Sequence, residues 1–363
     1  MRYMSSFLFT VLIIVALAHF FVYQTAVNFL QISDHFSLLI LRIVFILLSI
    51  SFVIAILISF RFDNILTRSF YTIAAIWMGF LLYFVLASAL AWVIFTILKN
   101  DNVELTTQIL FLLAAVVGVY GMINANNVQV VNVEVNLPNL PSQWKGKKLV
   151  WISDVHLGQV RGSNFSQKVE GIIKKQNPDM VFIGGDLYDA AANLDHFVRP
   201  FSETRDPDGN FFITGNHEEF FDKTKYVNAV KDAGITILNN QMIDVNGLQI
   251  IGVDYRDTAG KINFKNVLDK IKLNPDKPSI LLKHTPYDLD IAEAKGINFQ
   301  ISGHTHEGQI FPINLITHAV YRGYDYGLKK FGNMWVYTSS GVGTWGPPLR
   351  IGSVPEVAVI TLE

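Results

Sequence analysis

The chain contains no cysteine, so neither a disulfide nor a thiolate metal ligand can take part in its fold or its chemistry. Charge is scarce in the first third. Before residue 126 the only Lys, Arg, Asp and Glu are Arg2, Asp34, Arg42, Arg61, Asp63, Arg68, Lys99, Asp101 and Glu104. No block of one sign stands out, and a net charge of −1 leaves no basic stripe for nucleic acid to follow. No nucleic-acid partner is therefore expected. Nearly all remaining charge lies beyond residue 126, so the 363 residues divide into a lipid-like front and a water-soluble back.

The front holds what the back lacks, long apolar runs. Four of them, residues 7–23, 36–60, 70–98 and 105–125, are near the roughly 20 residues a helix needs to cross a bilayer, which makes 1–126 a transmembrane region. Arg2 ahead of the first run would also suit a signal peptide, but three further runs follow it. Short-loop cations favour the cytoplasmic side. Arg2, Arg61, Arg68, Lys145, Lys147 and Lys148 fall on one side and only Lys99 on the other, which predicts cytoplasmic termini and a cytoplasmic soluble domain. Inside the spans, Arg42 and His19 are the ionisable residues to explain. Arg42 is close enough to a span end to snorkel, and no repeated charge or broken-helix pattern marks a transport path. Anchoring is the expected role.

After a linker and leading segment at 127–147, strand-length apolar runs alternate with helix-period segments. Strands are expected at 148–153, 180–184, 210–214, 248–253, 279–283, 298–302, 334–338 and 357–362. Helices are expected at 164–176, 223–232, 264–271 and 289–294. The alternation points to an α/β domain over 148–363.

The polar motifs sit where those strands end: Asp154-Val-His156, Gly185-Asp186, Gly215-Asn216-His217, His284 and Gly303-His304-Thr-His306. Ligands bind at that edge of an open α/β sheet. Singly, each motif is weak. Gly-Asp is commonly a turn with a helix cap, Gly-Asn-His suits a turn, and a loop histidine is commonly just satisfied locally. Together they aim Asp, Asn and His at one place. Five of nine histidines lie in these motifs, whereas His35, His196 and His318 do not. Imidazole with carboxylate suits Mn, Fe or Zn, and two imidazoles one residue apart, as in His304-Thr-His306, can reach two neighbouring ions.

In order and context these five blocks resemble the calcineurin-like metallophosphoesterase superfamily, over roughly residues 148–363. Gly308-Gln309-Ile310 and Arg350-Ile-Gly352-Ser-Val-Pro355-Glu356 resemble its bacterial membrane-associated branch. The resemblance implies a four-layer α/β/β/α sandwich behind four transmembrane helices, and two divalent ions. One ion would be held by Asp154, His156, Asp186 and His306, and the other by Asp186, Asn216, His284 and His304, with the Asp186 carboxylate shared between them. Two cations about 3.5–4 Å apart acidify a shared water and clamp an in-line phosphoryl displacement, so a bridging hydroxide is the expected nucleophile. His217 matches a non-ligand position and would stabilise the phosphoryl oxygens or protonate the leaving group.

Some positions leave alternatives open. Asp189 can orient His217 or a metal-bound water, or simply cap a helix; Glu218 is similarly ambiguous. Glu307 stands where relatives of this branch commonly carry Gly. It would raise the basicity of the neighbouring imidazole, repel an anionic substrate or face solvent. Asp189 is followed by Ala190 and Ala191 where phosphoprotein phosphatases of the superfamily carry an arginine, which argues against a protein substrate. The expected activity is hydrolysis of a phosphodiester or pyrophosphate bond, in a lipid-linked substrate given the membrane setting, at a bacterial inner or plasma membrane. The alternative is a catalytically silent membrane scaffold or sensor that keeps the fold.

Overall fold

The structure is a computed structural model and describes residues 2–99, 102–189, 194–203, 209–220 and 223–363. It divides into two compact units, Met1–Ile123 with Gly346–Leu349, and Asn124–Trp345 with Arg350–Glu363.

The first unit consists of α1 (Arg2–Phe29), α2 (His35–Ser59), α3 (Ile65–Leu98) and α4 (Val103–Asn124). At 1.5 Å per residue each helix can cross the hydrocarbon layer, and all four have spans of suitable length and hydropathy. Helix starts are set by side-chain caps, Asp34 accepting from the Ser37 amide at 2.8 Å and Asn64 forming a capping box with Thr67. Two helices outrun their hydropathy signal: α1 continues past Tyr23 to Phe29, and α3 begins at Ile65 rather than Phe70. Polar residues extend them without breaking them, as where the Thr25 hydroxyl donates to the Phe21 carbonyl at 2.9 Å. Arg42 and His19 are each partnered. Arg42 Nε donates to the Tyr23 hydroxyl at 2.8 Å, and His19 Nε2 accepts from Trp77 Nε1 at 2.8 Å.

The second unit runs β1 (Gln129–Val135), β2 (Lys148–Ile152), α5 (Ser163–Gln176), β3 (Met180–Ile183), α6 (Leu194–Ser202), β4 (Asn210–Phe212), α7 (Asn216–Phe220), α8 (Lys223–Asp232), β5 (Thr236–Ile237), β6 (Gln241–Val245) and β7 (Leu248–Gly252). It continues through α9 (Lys261–Lys270), β8 (Ser279–Leu282), α10 (Leu289–Ala294), β9 (Phe299–Ser302), α11 (Ile313–Val320), β10 (Gly327–Phe331), β11 (Met334–Thr338) and β12 (Glu356–Leu362). The strands form two six-stranded sheets, ordered β1-β12-β2-β3-β4-β5 and β10-β11-β9-β8-β7-β6.

Central strands such as β2, β3 and β8 read as unbroken apolar runs because both of their faces are covered. One core fills the space between the sheets, with Leu149, Trp151 and Phe182 from the first against Ile250, Leu282 and Ile301 from the second. A second core packs Val169, Ile173, Phe197 and Val230 of the helices onto the first sheet, and a third packs Phe264, Leu268 and Ala292 onto the other. The result is four layers, α/β/β/α.

The stretch expected as a linker holds a strand: β1 pairs in parallel with β12, Gln129 opposite Glu356 through Val135 opposite Leu362. As an edge strand β1 buries only Val133 and Val135, so its apolar signal is diluted by Gln129, Asn132 and Glu134. The short β5 and the peripheral β6 and β10 are partly exposed and escape pattern reading for the same reason.

Candidate metal centre

β2, β3 and β4 run parallel in one sheet, as do β7, β8 and β9 in the other, so each set ends at one edge. Asp154 and His156 follow β2, Asp186 follows β3, Asn216 opens α7 just beyond β4, His284 follows β8, and His304 and His306 follow β9. The turns that aim these side chains inward are unusual. Asp154, His156, Asp186, His304 and His306 all have φ between 50° and 70°, a left-handed conformation that for a non-glycine residue costs about 1–3 kcal/mol and clusters at functional sites. Close approach also demands glycine: a Cβ on Gly215 would collide with the Asp186 carboxylate, and one on Gly303 with Ser153 and Asp154.

The seven candidate ligands come together. Asp154, His156 and His306 offer donor atoms within 4.8 Å of one another, as do Asp186, His284 and His304. Asp186 also groups with His156 and His217, so its carboxylate faces both halves of the cluster. His156 Nε2 and His306 Nε2 are 3.0 Å apart, and His304 Nδ1 is 3.2 Å from His284 Nε2.

The donor set fits a cation. His284 Nδ1 is 2.7 Å from the Gly184 carbonyl, which can only accept, so Nδ1 carries a hydrogen and Nε2 is the ring nitrogen that points inward. There it meets Asp186 Oδ2 at 3.2 Å, Asn216 Oδ1 at 3.2 Å and the His304 nitrogen. Acceptors converging in a buried space need a positive charge between them. Burial opposes charge on His284, yet the Asp186 and Asp154 carboxylates raise it to about 9, so the field at this spot favours a positive charge, whether a proton on Nε2 or a cation beside it. His304 instead falls to about 3, through burial and then through repulsion from His284.

His217 stands beside the cluster, its ring 4.6 Å from that of His156. Asp189 Oδ1 lies 2.8 Å from His217 Nδ1 and 2.9 Å from His156 Nδ1, an orienting position between the two rings. Burial lowers His217, but the Asp189 contact and the carboxylates of Asp189, Asp186 and Glu218 raise it to about 9. Ala190 and Ala191 lie outside the described residues.

Two further residues build the site. Glu218, buried, accepts from the amides of Asp186 at 2.9 Å, Leu187 at 2.9 Å and Gly215 at 2.7 Å, tying the two ligand loops together. Arg350, also fully buried, donates to the carbonyls of Ser340 and Gly343 at 2.7 Å and of His306 at 3.3 Å. Sequence offered no way to place it, because its partners are backbone carbonyls from distant loops. Glu307 is half-buried rather than directed into solvent, and burial followed by the Glu356 charge raises it to about 7. Beside His304 a cleft of about 290 Å³ is lined by Tyr255, Thr258, Lys283, Tyr287 and Asp288. The buried Lys283 ammonium spends its hydrogens on Thr285 and the Tyr287 carbonyl, so the cleft presents the Tyr255 and Tyr287 rings together with the polar side chains of Thr258 and Asp288. His35 and His196 are exposed, and His318 pairs with Asp325 at 2.9 Å.

Residues 147–308 match the family model described as calcineurin-like phosphoesterase. An uncharacterized metallophosphoesterase of Campylobacter jejuni is 30% identical, with 98% of each chain covered. One from Aquifex aeolicus is 30% identical over 69% of this chain and 98% of its own. A protein of Danio rerio described as a transmembrane protein with metallophosphoesterase domain is 31% identical over 71% of this chain and 62% of its own.

Proposed function

This chain belongs to the calcineurin-like metallophosphoesterase family, and from that premise we propose that it is a membrane-anchored hydrolase of a phosphodiester or pyrophosphate bond in a lipid-linked substrate. The observation that carries the reading is the ring of acceptors around His284 Nε2. Asp154, His156, Asp186 and His306 would hold one divalent ion and Asp186, Asn216, His284 and His304 a second, with Mn, Fe or Zn suited to such donors. When bound, the pair of cations acidifies water and neutralises charge building on a phosphoryl group.

The chain's own residues supply the rest. His217, held protonated near neutral pH by the carboxylates around it, hydrogen-bonds a phosphoryl oxygen and gives its proton to the departing alkoxide. Asp189 is a positioning residue that fixes the orientation of His217 and His156 through one carboxylate oxygen. Glu218 keeps Asp186 and Asn216 at their spacing by holding both loops. The tyrosine-walled cleft beside His304 receives the group on the far side of the scissile bond. The short-loop cations support a cytoplasmic catalytic domain at a bacterial inner membrane.

The test is turnover of a chromogenic phosphodiester and monoester by the full chain in detergent, with added Mn and with chelator. Mn-dependent hydrolysis that chelation abolishes is expected. A folded, metal-loaded chain inert on both substrates would instead assign it to the silent scaffold class.

A further inference from the structure

α11 is built inside out. In a helix on the surface of a water-soluble domain the apolar stripe faces the core and the polar residues face water, as in α5, where Phe165, Val169 and Ile173 are buried. α11 reads Ile313-Asn-Leu-Ile-Thr-His-Ala-Val320, and none of its residues is buried. Asn314 and Thr317 of its polar arc face the domain: a Cβ on Gly308 would come within 2.6 Å of the Asn314 backbone nitrogen and 2.9 Å of Thr317 Oγ1, and one on Gly352 within 3.0 Å of Asn314 Nδ2, while His318, its side chain 64% exposed, reaches Asp325 at 2.9 Å. Its aliphatic arc points outward, with Ile313 at 43%, Leu315 at 61%, Ile316 at 64% and Val320 at 53% exposure. Successive positions at 100° per residue put those four on one side of the helix and Asn314, Thr317 and His318 on the other. A helix inverted in this way is satisfied when its outer solvent is hydrocarbon.

Its place in the fold joins that surface to the metal centre. α11 follows directly on the loop that carries His304 and His306. Its C-terminal cap, Tyr321, stacks on Tyr287 at 4.6 Å between ring centroids and stands 6.4 Å from the His304 ring. Tyr287, itself exposed, lines the cleft beside His304. The aliphatic face of α11 is therefore followed by the Tyr321–Tyr287 pair, which reaches a candidate ligand. The exposed Arg322 follows the helix, the residue type that meets lipid phosphate at a headgroup layer.

We propose that α11 seats in the headgroup–acyl boundary of the bilayer and that the Tyr287–Tyr321 surface passes an amphiphilic phosphodiester from that bilayer to the metal centre. The proposal rests on the hydrolase reading above for the identity of the reaction, but not for the membrane contact. A bilayer is favoured over a protein partner for two reasons. The chain brings its own bilayer, since only residues 125–128 separate α4 from β1. The face of α11 that would enter the bilayer is also aliphatic, with no Trp, Tyr or Arg between Ile313 and Val320, whereas protein interfaces concentrate binding in those types with Leu and Val under-represented. Interfacial helices with such a face enter about 5–10 Å.

The absence of cysteine makes the test clean, because Leu315→Cys gives the full chain a single labelling site. In lipid nanodiscs a nitroxide at 315 is expected to collide with oxygen far more than with a water-soluble nickel chelate, while one at Lys265→Cys on exposed α9 shows the reverse. Equal nickel accessibility at the two positions would overturn the membrane contact, whatever the activity. Leu315→Ser with Ile316→Ser is then expected to slow hydrolysis of a bilayer-embedded phosphodiester about tenfold, the scale of one lost aliphatic burial, and to leave a water-soluble chromogenic diester unaffected. Equal slowing of both substrates, or of neither, would overturn the delivery role. A chain inert on both while the 315 label stays in lipid would sink the hydrolase reading and with it the delivery role, and leave the membrane contact standing.

Discussion

In the helical unit large aliphatic side chains such as Ile46, Leu47 and Leu66 are exposed, and polar groups among them find local partners, as Arg42 meets Tyr23 and His19 meets Trp77 and the Val15 carbonyl. In the α/β unit the pattern is reversed. Aliphatics fill three cores, and the polar groups are gathered at one sheet edge, where seven candidate ligands face one another. The difference is one of solvent. Hydrocarbon tolerates exposed Leu and forbids unpaired polar groups, whereas water allows a protein to invest its polar residues in a single buried centre. By that measure α11 belongs with the helical unit although it sits in the other, and this is why its exposed aliphatics carry meaning that those of α2 do not.

The comparison can be broken most forcefully at the polar centre. Asp186→Asn should lower turnover of a chromogenic phosphodiester by at least about 10³-fold, the scale on which loss of a central electrostatic group registers. Bound metal, counted by mass spectrometry of the purified chain, should fall with it; full metal content and full rate would remove Asp186 from the shared position. His217→Ala is expected to cost about 10²-fold in rate with metal content unchanged, and loss of metal in that variant would make His217 a ligand instead. Glu218→Gln turns an acceptor-only side chain into one that must donate towards backbone amides. It should destabilise the α/β unit by about 1–3 kcal/mol, seen as a lower thermal transition by near-UV circular dichroism while helical content in detergent persists. A simultaneous loss of both signals would show that the two units unfold as one. The smallest effect belongs to Arg42→Leu, which removes an intramembrane charge. Hydrolysis of a water-soluble diester should stay within about twofold of the parent, as expected when a substitution lies away from a network, and a large drop would make the helices more than an anchor.

The four apolar helices, the buried strands and the polar types gathered at strand ends are all legible in local composition and period. Four apolar runs, the strands of residues 148–153 and 180–184, and the motifs around Asp154, Asp186, Asn216, His284 and His304 are legible in that way. The tertiary structure decided what no local pattern encodes. It made a strand of 129–135 by pairing it with β12 more than 200 residues away, set Asp189 between His156 and His217, and gave Glu218 and Arg350 partners in other loops. It also turned the aliphatic arc of α11 outward. These outcomes depend on which surfaces meet, and a side chain's partner across the fold is fixed by packing and not by its neighbours in the chain.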